Sequence, residues 1–151
     1  LGAVIRNAVS PWVSRAIWPL ALRKLFGPAP TPAKFAGFPK EMAFRPSQLR
    51  ASAADAALMV PDAAAREFRY SELKTPLVIV AGEDDRLIDI DEQSARLHAA
   101  TPQSEFRRVA GAGHMVHQTA ADEMMSAIDL AARLAKTAAA APAKERLSAA
   151  E

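Results

Sequence analysis

The spacing of apolar residues changes character twice along the 151 residues. Over residues 1–70 the apolar positions fall in short helical stretches interrupted by proline. Ser10-Pro11 sets a capping residue before a proline at the first helical position, and Trp12, Ala16 and Leu20 follow at helical spacing. Pro19 is expected to kink or split that helix, because its ring lacks an N–H and crowds the turn before it. Gly27-Pro28 should stop the helix, and "GPAPTP" reads as a loop. Two short segments follow around Lys34 and Lys40, then a longer helix from Pro46 to about Val60, closed by Pro61. Helices with such broad apolar faces need something to cover.

Residues 71–136 carry a different pattern. Thr75-Pro76 leads into "LVIVA", Leu77 to Ala81, a β-branched run bounded by Gly82 that reads as a fully buried parallel strand. The acidic loop "GEDDRLID" comes next, and Asp89 with Glu92 forms a capping box for a helix running to about Ala100. "EFRRVA", Glu105 to Ala110, is a second strand, followed by the loop "GAGH". Thr119 is placed to cap a last helix whose apolar stripe is Met124, Ile128, Ala131 and Ala135. Strand, loop, helix, strand, loop, helix is the grammar of an α/β sheet. Residues 137–151, rich in alanine and split by Pro142, have no apolar face and read as a flexible tail. The organisation is therefore a helical region over 1–70, an α/β region over 71–136 and a tail over 137–151.

Composition narrows the setting. Half the residues are hydrophobic and 24% are charged, as in a soluble globular domain. Without cysteine there are no disulfides and no thiolate metal sites, so a cytoplasmic location is the expectation. The longest apolar run near the start, Ala16 to Leu22, is too short to span a membrane, so no stable membrane insertion is expected. The formal net charge of +2 hides an asymmetry: eight Lys and Arg stand against Glu41 alone in residues 1–50, which gives +7 there and −5 over the remainder. Those basic residues are spread singly among apolar ones, so a nucleic-acid partner is not expected.

The chemistry gathers in the loops that follow the two strands, where α/β sheets place their functional groups. The first loop holds Asp85 beside Asp84, and the second holds His114. Adjacent parallel strands would bring both loops to one edge of the sheet. A carboxylate next to an imidazole fixes its tautomer and stabilises the imidazolium formed when the other ring nitrogen takes a proton. Asp84 stays open as the alternative acid, although the first Asp of such a pair commonly bonds loop backbone. Gly111 and Gly113 suit a tight turn that projects the imidazole over the sheet edge. His114 and His117 lack a third convergent ligand, so neither a metal nor a cofactor is expected. His98 is expected on a solvated helix face.

"TPLVIVAGEDDRLID" followed by "FRRVAGAGHMVHQ" resembles the last third of an α/β-hydrolase. In that family the penultimate core strand ends in a G-x-x-D turn bearing the triad acid, and the last strand ends in a G-x-G-H turn bearing the triad histidine. The resemblance maps Asp85 as the acid and His114 as the general base. It covers about residues 75–135, and Asp89 stands where the family usually has proline. Residues 10–65 resemble, more weakly, the helical cap inserted before the acid strand, and Trp12, Trp18, Phe26 and Phe35 would suit a lid over an apolar pocket.

The resemblance implies a nucleophile, then Asp, then His, with the nucleophile on a G-x-S-x-G elbow. No such pentapeptide is present, none of the nine serines has the flanking glycines, and no HGGG-type loop occurs. The chain thus reads as the C-terminal part of an α/β-hydrolase fold: a cap, then the last two parallel core strands with their helices. Two function classes follow. One is an intact enzyme cleaving an ester or similar small substrate with an apolar part; serine at the elbow would give acyl transfer, aspartate epoxide or haloalkane hydrolysis. The other is a non-catalytic binding fragment or degenerate paralogue. In either case the isolated 151 residues are expected to be inactive and to fold poorly without the missing N-terminal portion or another chain, because two strands alone cannot bury a parallel sheet.

Overall fold

A computed structural model of the protein describes residues 2 and 5–140. Its centre is a two-stranded parallel sheet of β1 (Leu77–Gly82) and β2 (Ser104–Val109), paired in register from Leu77 with Ser104 to Gly82 with Val109. The β-branched run forms β1 but is not fully buried: Leu77–Val80 are half-buried and only Ala81 and Gly82 are buried, because a two-stranded sheet has too few neighbours to cover it. β2 begins one residue earlier than the sequence suggests. The crossover between them is helical: a turn over Asp91–Ala95 runs into α4 (Arg96–Ala100). After β2 come α5 (Val116–Thr119) and α6 (Ala121–Ala140). Before β1 lie α1 (Ser10–Phe26), α2 (Lys40–Ala43) and α3 (Pro46–Arg66).

Both long proline-containing helices run through their prolines. α1 continues past Pro19 and α3 past Pro61, ending six residues beyond the expected stop at Val60. Each proline is exposed, so its ring stands clear of the packed side of the helix. Packing holds α1 on both sides of the interruption. Trp18 stacks on Phe38 at 4.8 Å and meets the edge of Phe44 at 5.5 Å, and Phe26, 1% exposed, meets Phe35 edge-on at 4.8 Å. Arg15 adds a forked ion pair with Glu41. In α3 no residue is buried, and its alanine-rich composition supplies the helical preference instead.

The crossover shows why its helix ends where it does. Asp89 Oδ1 accepts the N–H groups of Asp91 at 3.0 Å and Glu92 at 3.2 Å, which is the Asp89 half of the capping box read from the sequence. At the other end Thr101, fully buried, donates its hydroxyl to the Leu97 carbonyl at 2.7 Å. Ser104 Oγ lies 3.0 Å from it and donates to the Thr101 carbonyl at 2.7 Å. With its proton committed there, Ser104 accepts from His98 Nδ1 at 2.7 Å. His98 is thus a half-buried anchor of the α4–β2 corner, close to the Phe106 ring, and not the solvated residue expected from periodicity. Thr101→Val keeps the volume and removes the donor, so a loss of about 1–2 kcal/mol is expected, read as a lower urea midpoint at constant slope.

The last helix also departs from expectation. Thr119 donates to the Met115 carbonyl within the α5 turn and does not cap α6. The face of α6 that meets β1 follows Met124, Ala127, Ala131 and Leu134, with Ala127 buried, while Ile128 and Ala135 are exposed. Positions 124, 127, 131 and 134 and positions 124, 128, 131 and 135 fit helical spacing equally well, and packing against the sheet selects the first set. Residues 137–140 continue α6, so the tail does not begin at 137; the rest of it, 141–151, lies outside the described residues. Among the described residues no helix is long and apolar enough to cross a membrane.

Candidate active site

The two strands end side by side, and their loops interlock. Past the last paired residues, Glu83 N–H donates to the Val109 carbonyl at 3.0 Å and Asp84 N–H to the Ala112 carbonyl at 3.0 Å. Asp85 N–H turns back to the Gly82 carbonyl at 3.2 Å, and Ala112 N–H to that of Val109 at 3.3 Å. Gly82 makes this closeness possible: a β-carbon there would press on the backbone carbonyl oxygens of Ala112 and Gly113. Gly111 takes a left-handed φ of 73°, which redirects the chain after β2 toward the first loop.

Asp85 and His114, 29 residues apart in the chain, meet in this corner. His114 Nδ1 lies 2.8 Å from Asp85 Oδ2. The other carboxylate oxygen, Oδ1, accepts the N–H groups of Leu87 at 2.8 Å and Ile88 at 3.1 Å. The Asp85 side chain is 8% exposed, whereas that of His114 is 36% exposed. Burial pushes the Asp85 carboxyl up, but the N–H of Leu87, the His114 ring and the N–H of Ile88 together outweigh it and hold the pKa below its ordinary value. An ionised carboxylate accepts only, so Nδ1 carries the proton and donates to Asp85. Nε2 is left as the basic nitrogen on a partly open ring. The pair can therefore accept a proton at Nε2 and stabilise the resulting imidazolium.

The sign of the Asp85 shift fixes a pH window. A depressed folded-state pKa contributes stability above the unfolded value and loses it as pH falls through the folded one. The Asp85 carboxyl signal in carbon NMR should therefore titrate below the ordinary aspartate value of 3.8, and the hydrogen bond to His114 should persist down to that lower pH. A midpoint above the ordinary value would mean that burial dominates its hydrogen bonds.

The histidine loop is also seated on the N-terminal region. Met115 N–H donates to the Leu25 carbonyl at 3.1 Å, and the Gly113 backbone packs on the Gly27 carbonyl, at the buried end of α1. This seat has no signal in the sequence, because nothing about Leu25 or Gly27 marks them as partners of residues so far along the chain. Asp84 stands apart from the imidazole: its Oδ2 accepts the Gly111 N–H at 3.0 Å. His117 is exposed on α5. Among the described residues no group of three or more His, Asp or Glu side chains could hold a metal ion. A cavity of about 460 Å³ lies away from this corner, between Ala63, Tyr70, Gln93, Leu97 and Ala100.

Two parallel strands whose following loops bring an aspartate and a histidine together at their carboxyl ends form the corner of an α/β sheet. The model of the alpha/beta hydrolase fold family matches residues 6–121, and the chain belongs to that family. No curated protein and no solved structure matches it.

Proposed function

We propose that these residues are the C-terminal part of a hydrolase that cleaves an ester or similar small organic substrate, with His114 as general base and Asp85 as the acid that orients it. The observation that carries this reading is the 2.8 Å approach of His114 Nδ1 to an otherwise fully bonded Asp85 carboxylate. Nε2 takes the proton of a nucleophile as that nucleophile attacks the substrate carbonyl, then returns it to the leaving group. The nucleophile is supplied by an elbow outside these 151 residues, since none of the serines present sits in a G-x-S-x-G context.

Residues 1–70 serve as a lid over this edge. Their support is the seat of the histidine loop on Leu25 and Gly27, which brings the helical region against the catalytic corner. Leu87 and Ile88, exposed two and three residues after the acid, favour a substrate with an apolar part. No step in this chemistry needs a metal or an organic cofactor.

The test is turnover of a chromogenic ester by the full-length protein that contains this chain, with and without His114→Ala. Loss of turnover in the variant supports the assignment, and unchanged turnover overturns it.

A further inference from the structure

Asp84 reaches the histidine loop without touching the imidazole. Its carboxylate accepts the Gly111 N–H at 3.0 Å, and its own N–H donates to the Ala112 carbonyl at 3.0 Å. One residue of the acid loop thus grips two successive residues of the histidine loop through a donor and an acceptor. Gly111 is the residue with the left-handed backbone, so the grip falls on the bend that aims the loop. His114 follows that bend three positions later, and Asp85 follows Asp84 directly in the acid loop. The two side chains of the pair are therefore carried by loops whose separation Asp84 sets.

We infer that Asp84 is a positioning residue that staples the acid loop to the histidine loop and so holds His114 in register with Asp85. The inference rests on the reading of His114 and Asp85 as base and acid. A side-chain bond between two loops survives only while the loops keep their spacing, and displacement by about 1 Å can lower a catalysed rate by up to about a hundredfold. Asn in place of Asp84 keeps an oxygen acceptor at the same reach, whereas Ala removes it. Ser is too short to span the gap and should act as Ala does.

The experiment compares Asp84→Ala, Asp84→Ser and Asp84→Asn in the full-length protein. Expected for Ala and Ser is a kcat lower by about tenfold with KM within about twofold, and Asn within about twofold of the parent. In parallel, Gly111 amide exchange should quicken by about tenfold in Ala and Ser, with the His114 Nδ1–H proton signal broadened beyond detection, and both should be retained in Asn. Ser stands in for Ala should Ala fail to fold. Unchanged Gly111 exchange and an intact Nδ1–H signal in Ala or Ser would overturn the staple, as would an Asn variant as impaired as Ala, since charge and not the bond would then be responsible. These two spectroscopic readouts do not depend on turnover. If His114→Ala leaves turnover intact while the Asp84 variants loosen the loop, the catalytic reading fails and the staple stands as a structural bond only.

Discussion

Alanine at position 114 is expected to lower kcat in the full-length protein by about four orders of magnitude, with KM changed by no more than a few-fold. The asymmetry between the two constants follows from the geometry. The imidazole is held by one carboxylate oxygen, and in the proposed role its other nitrogen would take charge only as the reaction proceeds. Under that proposal, removing it would delete an interaction that grows in the transition state, worth about 5 kcal/mol at that rate ratio. Binding of an apolar substrate part is made elsewhere and should persist. His117→Ala supplies the comparison: it lies three residues away on an exposed face, outside the pair, and should leave both constants near their parent values. Equal losses at 114 and 117 would point to a general disturbance of the loop and not to a base.

The second large effect is expected at Gly82. A methyl group there presses on two carbonyl oxygens of the histidine loop, and backbone atoms have no rotamer by which to yield. Gly82→Ala should therefore cost about 2–3 kcal/mol of stability, within the range for overpacking a tight core, and shift the loop enough to lower kcat by up to about a hundredfold. Gly111→Ala isolates the other way in which a glycine matters. A β-carbon at 111 meets open space, so its cost is confined to the left-handed backbone, about 1–2 kcal/mol. Thermal melts and ester kinetics on the two variants should rank Gly82 above Gly111 in both respects. The reverse order would show that backbone conformation, and not the close approach of the loops, keeps this corner closed.

What can be read from the residues follows from how local each signal is. "LVIVA" has no competing interpretation as a short run between a proline and a glycine, and β1 forms there. Asp85 and His114 are legible because each sits just past a strand, and parallel pairing forces the two loops together. The departures share a cause: each depends on what packs against the residue. Pro19 reads as a kink or split and Pro61 as a stop, yet exposure on one side and aromatic packing on the other let α1 continue, and exposure with an alanine-rich composition lets α3 do the same. The stripe on α6 keeps Met124 and Ala131 but takes Ala127 and Leu134 in place of Ile128 and Ala135, because the sheet, not the helix, chooses between equivalent spacings. His98 reads as solvated because its partner, Ser104, stands at the start of the next strand.

The seat of Met115 on the Leu25 carbonyl has a practical consequence for protein engineering. Helical segments of this kind are natural units to exchange when a new specificity is wanted. Here a graft whose junction fell inside α1 would replace the surface against which the histidine turn is built. A recipient that keeps residues 25–28 of its own chain, and accepts foreign sequence only outside them, would leave the seat of the histidine turn intact.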